Sequence, residues 1–190
     1  KPKNGVTSGT LLPGKIASWY IGINTQPWIN FYVDADTFKF TVDQPTCSTI
    51  ALDSTSQNIS GNKINLGDYY VSQVKQEITQ VVPFTIRGDY CYASKITVKL
   101  KATTEALNKK LIGKSSGSAT GVGVKVYSTA NNSEVQLNAD NSNEIIFNYA
   151  NWSNNLLYFP FTAQLVKDGS NGTISPGDFT GNATFSFSYE

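Results

Sequence analysis

The sequence predicts an all-β fold, a sandwich or barrel of short strands, and three observations carry that reading. Apolar residues recur at every second position in separate runs: Val82, Phe84 and Ile86; Ile96, Val98, Leu100 and Ala102; Val122, Val124 and Val126; Phe159, Phe161, Ala163 and Leu165. A period of two puts one side of each run against a core. Turn-forming Gly, Asn, Asp and Ser separate the runs at intervals of roughly ten residues, the spacing of sandwiches and barrels. Aromatic residues make up 12% of the 190 positions, chiefly Tyr and Phe, and suit a pleated, half-buried surface better than a helix.

Taken in order, Lys1 to Leu12 is polar, contains two glycines and reads as a flexible arm. Ile16 to Ala35 carries Trp19, Tyr20, Ile21, Ile23, Trp28, Ile29, Phe31, Tyr32 and Val33, broken at Pro27. These are two short extended pieces, too apolar to be left in water. Either they add strands to the domain's own sheet, or they are made for an open sheet edge on another molecule. Phe38, Phe40 and Val42 alternate, and Pro45 and Cys47 close that strand. Ile50 with Leu52, and Ile64 with Leu66, are short strands on either side of a turn region from Gln57 to Asn62. Tyr69 to Ile78 holds another strand or an irregular crossing. Val82 to Ile86 runs up to a Gly88-Asp89 turn just before Cys91, and Ile96 to Ala102 turns Lys95, Lys99 and Lys101 outward. The last alternating run is Phe179, Gly181, Ala183, Phe185, Phe187 and Tyr189. Only Thr104 to Leu111 hints at a helix, with Leu107 and Leu111 four apart, and it is too short to stand alone. No repeat or linker divides Phe38 to Glu190. The organisation is an N-terminal extension, residues 1–36, followed by one all-β domain, residues 37–190.

Composition narrows the function. Charged residues are 15% of the chain and balance to a formal +1, so no strong field points to nucleic acid, and Arg87 is the lone arginine. Histidine is absent, which excludes Ser-His-Asp and Cys-His catalysis and histidine metal sites within this chain. Two cysteines cannot by themselves build a zinc or iron–sulfur site. No metal or cofactor is expected. No apolar run approaches the ~20 residues of a membrane-spanning helix. Cys47 and Cys91 are too far apart for a CxxC motif. In an oxidising compartment they would pair, closing a loop worth roughly 4 kcal/mol; in a reducing one they would be two buried thiols.

The remaining motifs read as ordinary turns. Gly113-Lys114-Ser115 resembles the end of a phosphate loop, but Asn108 stands where that loop needs its first glycine. Asp34-Ala35-Asp36 and Asp140 to Glu144 gather oxygen ligands, yet Lys39 and Ile145 occupy the position where a calcium loop requires glycine. Trp152, Tyr149 and Tyr158 offer rings for stacking on a sugar, or for packing. A carboxylate pair for glycoside hydrolysis is not singled out by anything in the sequence. The chain is expected to be no enzyme.

The two ends of the domain carry a resemblance. Ser175-Pro176-Gly177-Asp178 followed by Phe179-Thr180-Gly181-Asn182-Ala183-Thr184-Phe185-Ser186-Phe187-Ser188-Tyr189-Glu190 resembles the C-terminal strand of pilins of the chaperone–usher pathway, a Pro/Gly turn leading into alternating Gly, Ala and Phe with a penultimate tyrosine. Phe38-Lys39-Phe40-Thr41-Val42 before Cys47 is similar to the first pilin strand, and Cys91 sits where the partner cysteine is expected. The likeness covers about Asp36 to Glu190. It implies an incomplete immunoglobulin-like β-sandwich that lacks its last strand and is completed by a donor strand. It further implies a Cys47–Cys91 disulfide, a structural role in an adhesive fimbria, and polymerisation by donor-strand exchange. The implied partners are a periplasmic pilus chaperone, neighbouring pilin subunits and the outer-membrane usher. The implied location is an extracellular fimbrium, reached through the periplasm of a Gram-negative bacterium. Phe179, Gly181, Ala183, Phe185, Phe187 and Tyr189 would form the strand bordering the groove and meeting the chaperone.

The extension departs from the family pattern in being long. Gly22 is out of phase with Trp19, Ile21 and Ile23, so two stretches compete as donor: Ala17, Trp19, Ile21 and Ile23, or Ile29, Phe31 and Val33. Such an extension also suits a terminating or anchoring subunit. Alternatively, Leu12 to Val33 is the tail of a receptor-binding domain and the chain is the pilin half of a tip adhesin, with a carbohydrate or protein receptor on the host.

Overall fold

Strands form where the alternating runs are, and the inward row of each run is the row removed from water. The computed structural model describes residues 8–10, 14–19, 29–33, 39–41, 46–55, 58–130, 134–148 and 156–190. The chain divides into two compact units, Lys1–Gln44 and Pro45–Glu190. The strands of the first are β1 (Ser8–Thr10), β2 (Gly14–Trp19), β3 (Ile29–Val33) and β4 (Lys39–Thr41). β1 pairs with β4, and β2 with β3, both antiparallel. The expected strand at Phe38 to Val42 is thus described only in its middle, where its partner is Ser8–Thr10; Phe38 and Val42 lie outside the described residues, as do Asp34 and Asp36.

The second unit holds β5 (Thr49–Leu52), β6 (Ile59–Ser60), β7 (Lys63–Ile64), α1 (Val71–Lys75), β8 (Val82–Asp89), β9 (Lys95–Ala102), β10 (Val122–Ser128), β11 (Val135–Leu137), β12 (Ile145–Asn148), β13 (Leu156–Lys167) and β14 (Ala183–Tyr189). One antiparallel sheet has the order β11-β10-β13-β8-β5, a second the order β12-β9-β14, and β6 and β7 form a small hairpin. One core joins the two sheets. Phe84 and Ile86 of β8, Val124 and Val126 of β10, and Phe159 and Phe161 of β13 pack there with Ile96, Val98 and Leu100 of β9 and Phe147 of β12. The fold is all-β and a sandwich, as the alternation and the resemblance led us to expect.

Three details of the sequence reading are corrected. Thr104 to Leu111 is not helical: Leu111 is buried but Leu107 is 71% exposed, and Glu105 pairs with Ile112 across a tight turn. The helix is instead α1, inside Tyr69 to Ile78, where no strand was formed; Val74 buries itself with Ala119, Val122 and Ile174 in a small second cluster. In β13 the inward row runs on to Leu165, half-buried against both clusters, and Val166 in the opposite phase is buried as well. The Thr79 hydroxyl donates to Leu165 O (2.5 Å) at this end of the strand. Finally, β14 starts at Ala183, and the residues before it pair elsewhere, Thr180 with Ser116. Four of the described strands went unread, all too short to display a period: β1, which lies in the stretch read as a flexible arm and pairs with β4, β6 in the expected turn region, β11 and β12.

Candidate functional site

β14 is held along one side. Thr103 N–H donates to Asn182 O (2.9 Å), and Glu190 and Lys95 exchange main-chain bonds of 2.9 and 3.1 Å. Ser94 adds two more donors to Glu190 O, its N–H at 2.8 Å and its hydroxyl at 3.0 Å. Antiparallel alternation therefore commits Thr184, Ser186 and Ser188 to β9 and turns the N–H and C=O of Ala183, Phe185, Phe187 and Tyr189 to the opposite side. No strand among the described residues pairs there. β5 is placed likewise at the edge of the larger sheet. Asp53 N–H donates to Thr85 O (2.8 Å), so Ile50 and Leu52, one and three positions out of phase, direct their backbone groups away from β8.

The same residues point their side chains at the core without being covered. Ala183, Phe185, Phe187 and Tyr189, and Ile50 and Leu52 across from them, are half-buried and packed on the core cluster. One strand away, Ile96 and Val98 are 0% exposed and Leu100 1%. A core-facing row that stays partly wet beside a row that is wholly dry marks a place where the sandwich lacks full cover.

The aromatic contacts locate that place. Phe185 lies 5.1 Å from Phe161 and 6.1 Å from Phe84, and Phe187 lies 5.2 Å from Phe159. Phe147 of β12 meets the β13 rings, at 5.0 and 6.3 Å. β14 therefore stands over β13 and β8, and the larger sheet continues past it to β5. β14 and β5 are thus both edges, each with apolar side chains on the core and with backbone groups that no strand among the described residues pairs. Burial there pushes the Tyr189 phenol above its usual value.

Cys47 and Cys91 form a disulfide that ties the approach to β5 to the end of β8. Gly88 makes room for it: a Cβ at this inward position would stand 2.7 Å from Cys91 Sγ and 3.0 Å from Ile50 Cδ1. Gly181 has a comparable task before β14, where a Cβ would come within 2.9 Å of Ile112 Cγ2. Phe179 packs half-buried on the second cluster. The expected edge strand is thus split, with Ala183, Phe185, Phe187 and Tyr189 on β14 and Phe179 and Gly181 in the turn that leads to it.

The donor candidates fall in the first unit. Ala17 is opposite Phe31, Trp19 opposite Ile29, and Val33 opposite Gly14, while Ile21 and Ile23 lie outside the described residues. Of the aromatic trio, Tyr149 and Trp152 are also outside them, and Tyr158 is exposed on the outer side of β13, opposite Arg87. Asp140 sits in a turn knit by its own side chains. Its carboxylate accepts from Ser142, which holds its pKa below the usual carboxylate value, and Asn138 N–H donates to Asn143 Oδ1 (2.8 Å). Ile50 and Leu52 as the far lip were missed; no local signal marks them, since their role exists only relative to β14.

Residues 37–190 match the family described as Fimbrial protein. Among solved structures the chain is similar to the P pilus rod subunit PapA, with 15% identity, a TM-score of 0.56, and coverage of 74% of this chain and 99% of that one. It is similar also to a chaperone–usher pilus studied for rod uncoiling, with 16% identity, a TM-score of 0.54, and coverage of 88% and 99%. A tip adhesin from Pseudomonas aeruginosa, CupB6, matches at 18% identity and a TM-score of 0.47 over 57% of this chain and 30% of that one. No curated protein sequence matches it.

Proposed function

This chain belongs to the fimbrial protein family, and from that premise we propose that its sandwich is finished by a β-strand from another molecule laid between β14 and β5. The partly exposed core row of β14, whose backbone groups no strand among the described residues pairs, is the observation that carries this reading. Backbone bonds to the lips would give affinity, and alternate apolar side chains would fill the groove. Phe185, Phe187, Tyr189, Ile50 and Leu52 each keep part of their surface, up to about a third, in water. At about 1.5–3 kcal/mol for full burial of such a side chain, completing all five contributes at most ~3–5 kcal/mol. The incoming strand's own residues add to that, so the gain is comparable with the ~5–15 kcal/mol stability of a whole domain.

Such a subunit would first take its strand from a periplasmic chaperone and later exchange it, at the outer-membrane usher, for that of a neighbouring subunit. The role is mechanical: no residue breaks or forms a bond in substrate. A fimbrial subunit works outside the cell, and among the described residues no helix is long and apolar enough to cross a membrane.

The test is thermal unfolding of the full chain with a lysine-flanked peptide of alternating valine and threonine, and with the same peptide N-methylated at alternate residues. The first should raise the melting temperature with concentration, by mass action. The second should not, because it cannot pair with the lips. A chain that melts high on its own and ignores both peptides overturns the proposal.

A further inference from the structure

We propose that this chain accepts a strand but donates none, and so occupies one end of its fibre. The inference rests on the groove being a strand acceptor. It comes from the other unit, where β2, with Ala17 and Trp19 of one candidate donor, and β3, with Ile29, Phe31 and Val33 of the other, are each other's partners. β2 and β3 pair antiparallel from Gly14 opposite Val33 to Trp19 opposite Ile29, with a register shift between Lys15 and Ala17. Across the middle of that pair, the Ser18 hydroxyl donates to Asn30 Oδ1 (2.6 Å). β1 and β4 then close outside the hairpin, Ser8 opposite Thr41 and Thr10 opposite Lys39.

The two pairs are nested, β1 and β4 flanking β2 and β3 along the chain. A strand that is to lie between β14 and β5 of another copy must bring unpaired N–H and C=O groups to both lips. Neither β2 nor β3 can do so without first giving up its partner. The apolar residues of Gly14–Trp19 and Ile29–Val33 are therefore used at home, where the two strands satisfy one another's backbones. An acceptor whose β2 and β3 both stay paired at home would be joined on one side only. In a fibre built by passing a strand from each subunit to the next, that is an end position.

The test seals the hairpin without touching its apolar rows. Ser18 and Asn30 are polar, opposite and already within hydrogen-bond distance. The double variant Ser18→Cys/Asn30→Cys would oxidise to a cross-strand disulfide in the periplasm. In cells that assemble the fibre, the sealed variant should enter fibres at the wild-type level. Gold label against the wild-type chain should sit at fibre ends. Label spaced along the shaft, or loss of the sealed variant from fibres while Ser18→Ala/Asn30→Ala is retained, overturns the inference. The readouts separate the two claims: a failed response to the valine–threonine peptide refutes the groove, whereas label along the shaft refutes only the end position.

Discussion

Replacing Phe185 with alanine should cost more when the groove is filled than when it is open. The ring is on β14, 5.1 Å from Phe161 and 6.1 Å from Phe84, and is half-buried. Removing a fully buried Phe costs about 3–5 kcal/mol, so a ring already about two-thirds or more covered loses at least about 2–3 kcal/mol in the open chain. With a strand over it the whole amount is at stake, and the difference, up to about 1–2 kcal/mol, is lost from strand binding. That weakens the Kd by up to roughly 5- to 30-fold. Phe147 supplies the control, being 5% exposed on the other side of the small sheet, with its ring 5.0 Å from Phe159. Phe147→Ala should cost about 3–5 kcal/mol with or without the peptide and leave its Kd nearly unchanged. Urea unfolding at zero and saturating peptide, with calorimetric titration of each variant, measures every term. Equal cost of Phe185→Ala in both states, with an unaltered Kd, would refute the claim that this ring forms part of a groove wall.

Other outcomes follow from single features. Cys47→Ala/Cys91→Ala should lower stability by about 2–4 kcal/mol in chemical unfolding, because the bond closes a long loop. Gly88→Ala should cost about 1–3 kcal/mol through overpacking, and that penalty should shrink in the cysteine-free background where the crowding Sγ atoms are gone. Tyr189 has its folded pKa raised by burial, so the unfolded chain ionises first; stability should fall as pH rises from about 10 through the folded value, and Tyr189→Phe should remove that loss in alkaline melts. Asp140 has its pKa lowered by Ser142, so its contribution should be complete above the ordinary carboxylate range and fade as pH falls through the folded value. Asp140→Asn should flatten that acid limb without changing stability's alkaline one.

How much was legible depended on whether a residue's role is local. Val82, Phe84 and Ile86, or Ile96, Val98 and Leu100, announce an inward row because side chains alternate along a strand whatever the rest of the fold does. Thr104 to Leu111 misled for the converse reason. Spacing four apart suits a helix, but Gly113 brings the chain back against Glu105, where a Cβ would stand 2.5 Å from its carbonyl carbon, and the turn prevails. α1 was invisible because its five residues carry no full helical period, and tertiary packing of Val74 sustains it. The aromatic surplus of the N-terminal stretches was visible, but not its destination.

By itself, the sequence determined which residues face inward, that the chain is all-β, and that neither histidine chemistry nor a cysteine metal site is available to it. The tertiary structure alone decided that β14 and β5 are edges, that their inward rows stay partly wet, and that β2 and β3 spend their backbones on each other. Side-chain period is a property of neighbours along the chain, whereas an unpaired edge is defined by which strand is missing beside it, and that is a long-range fact.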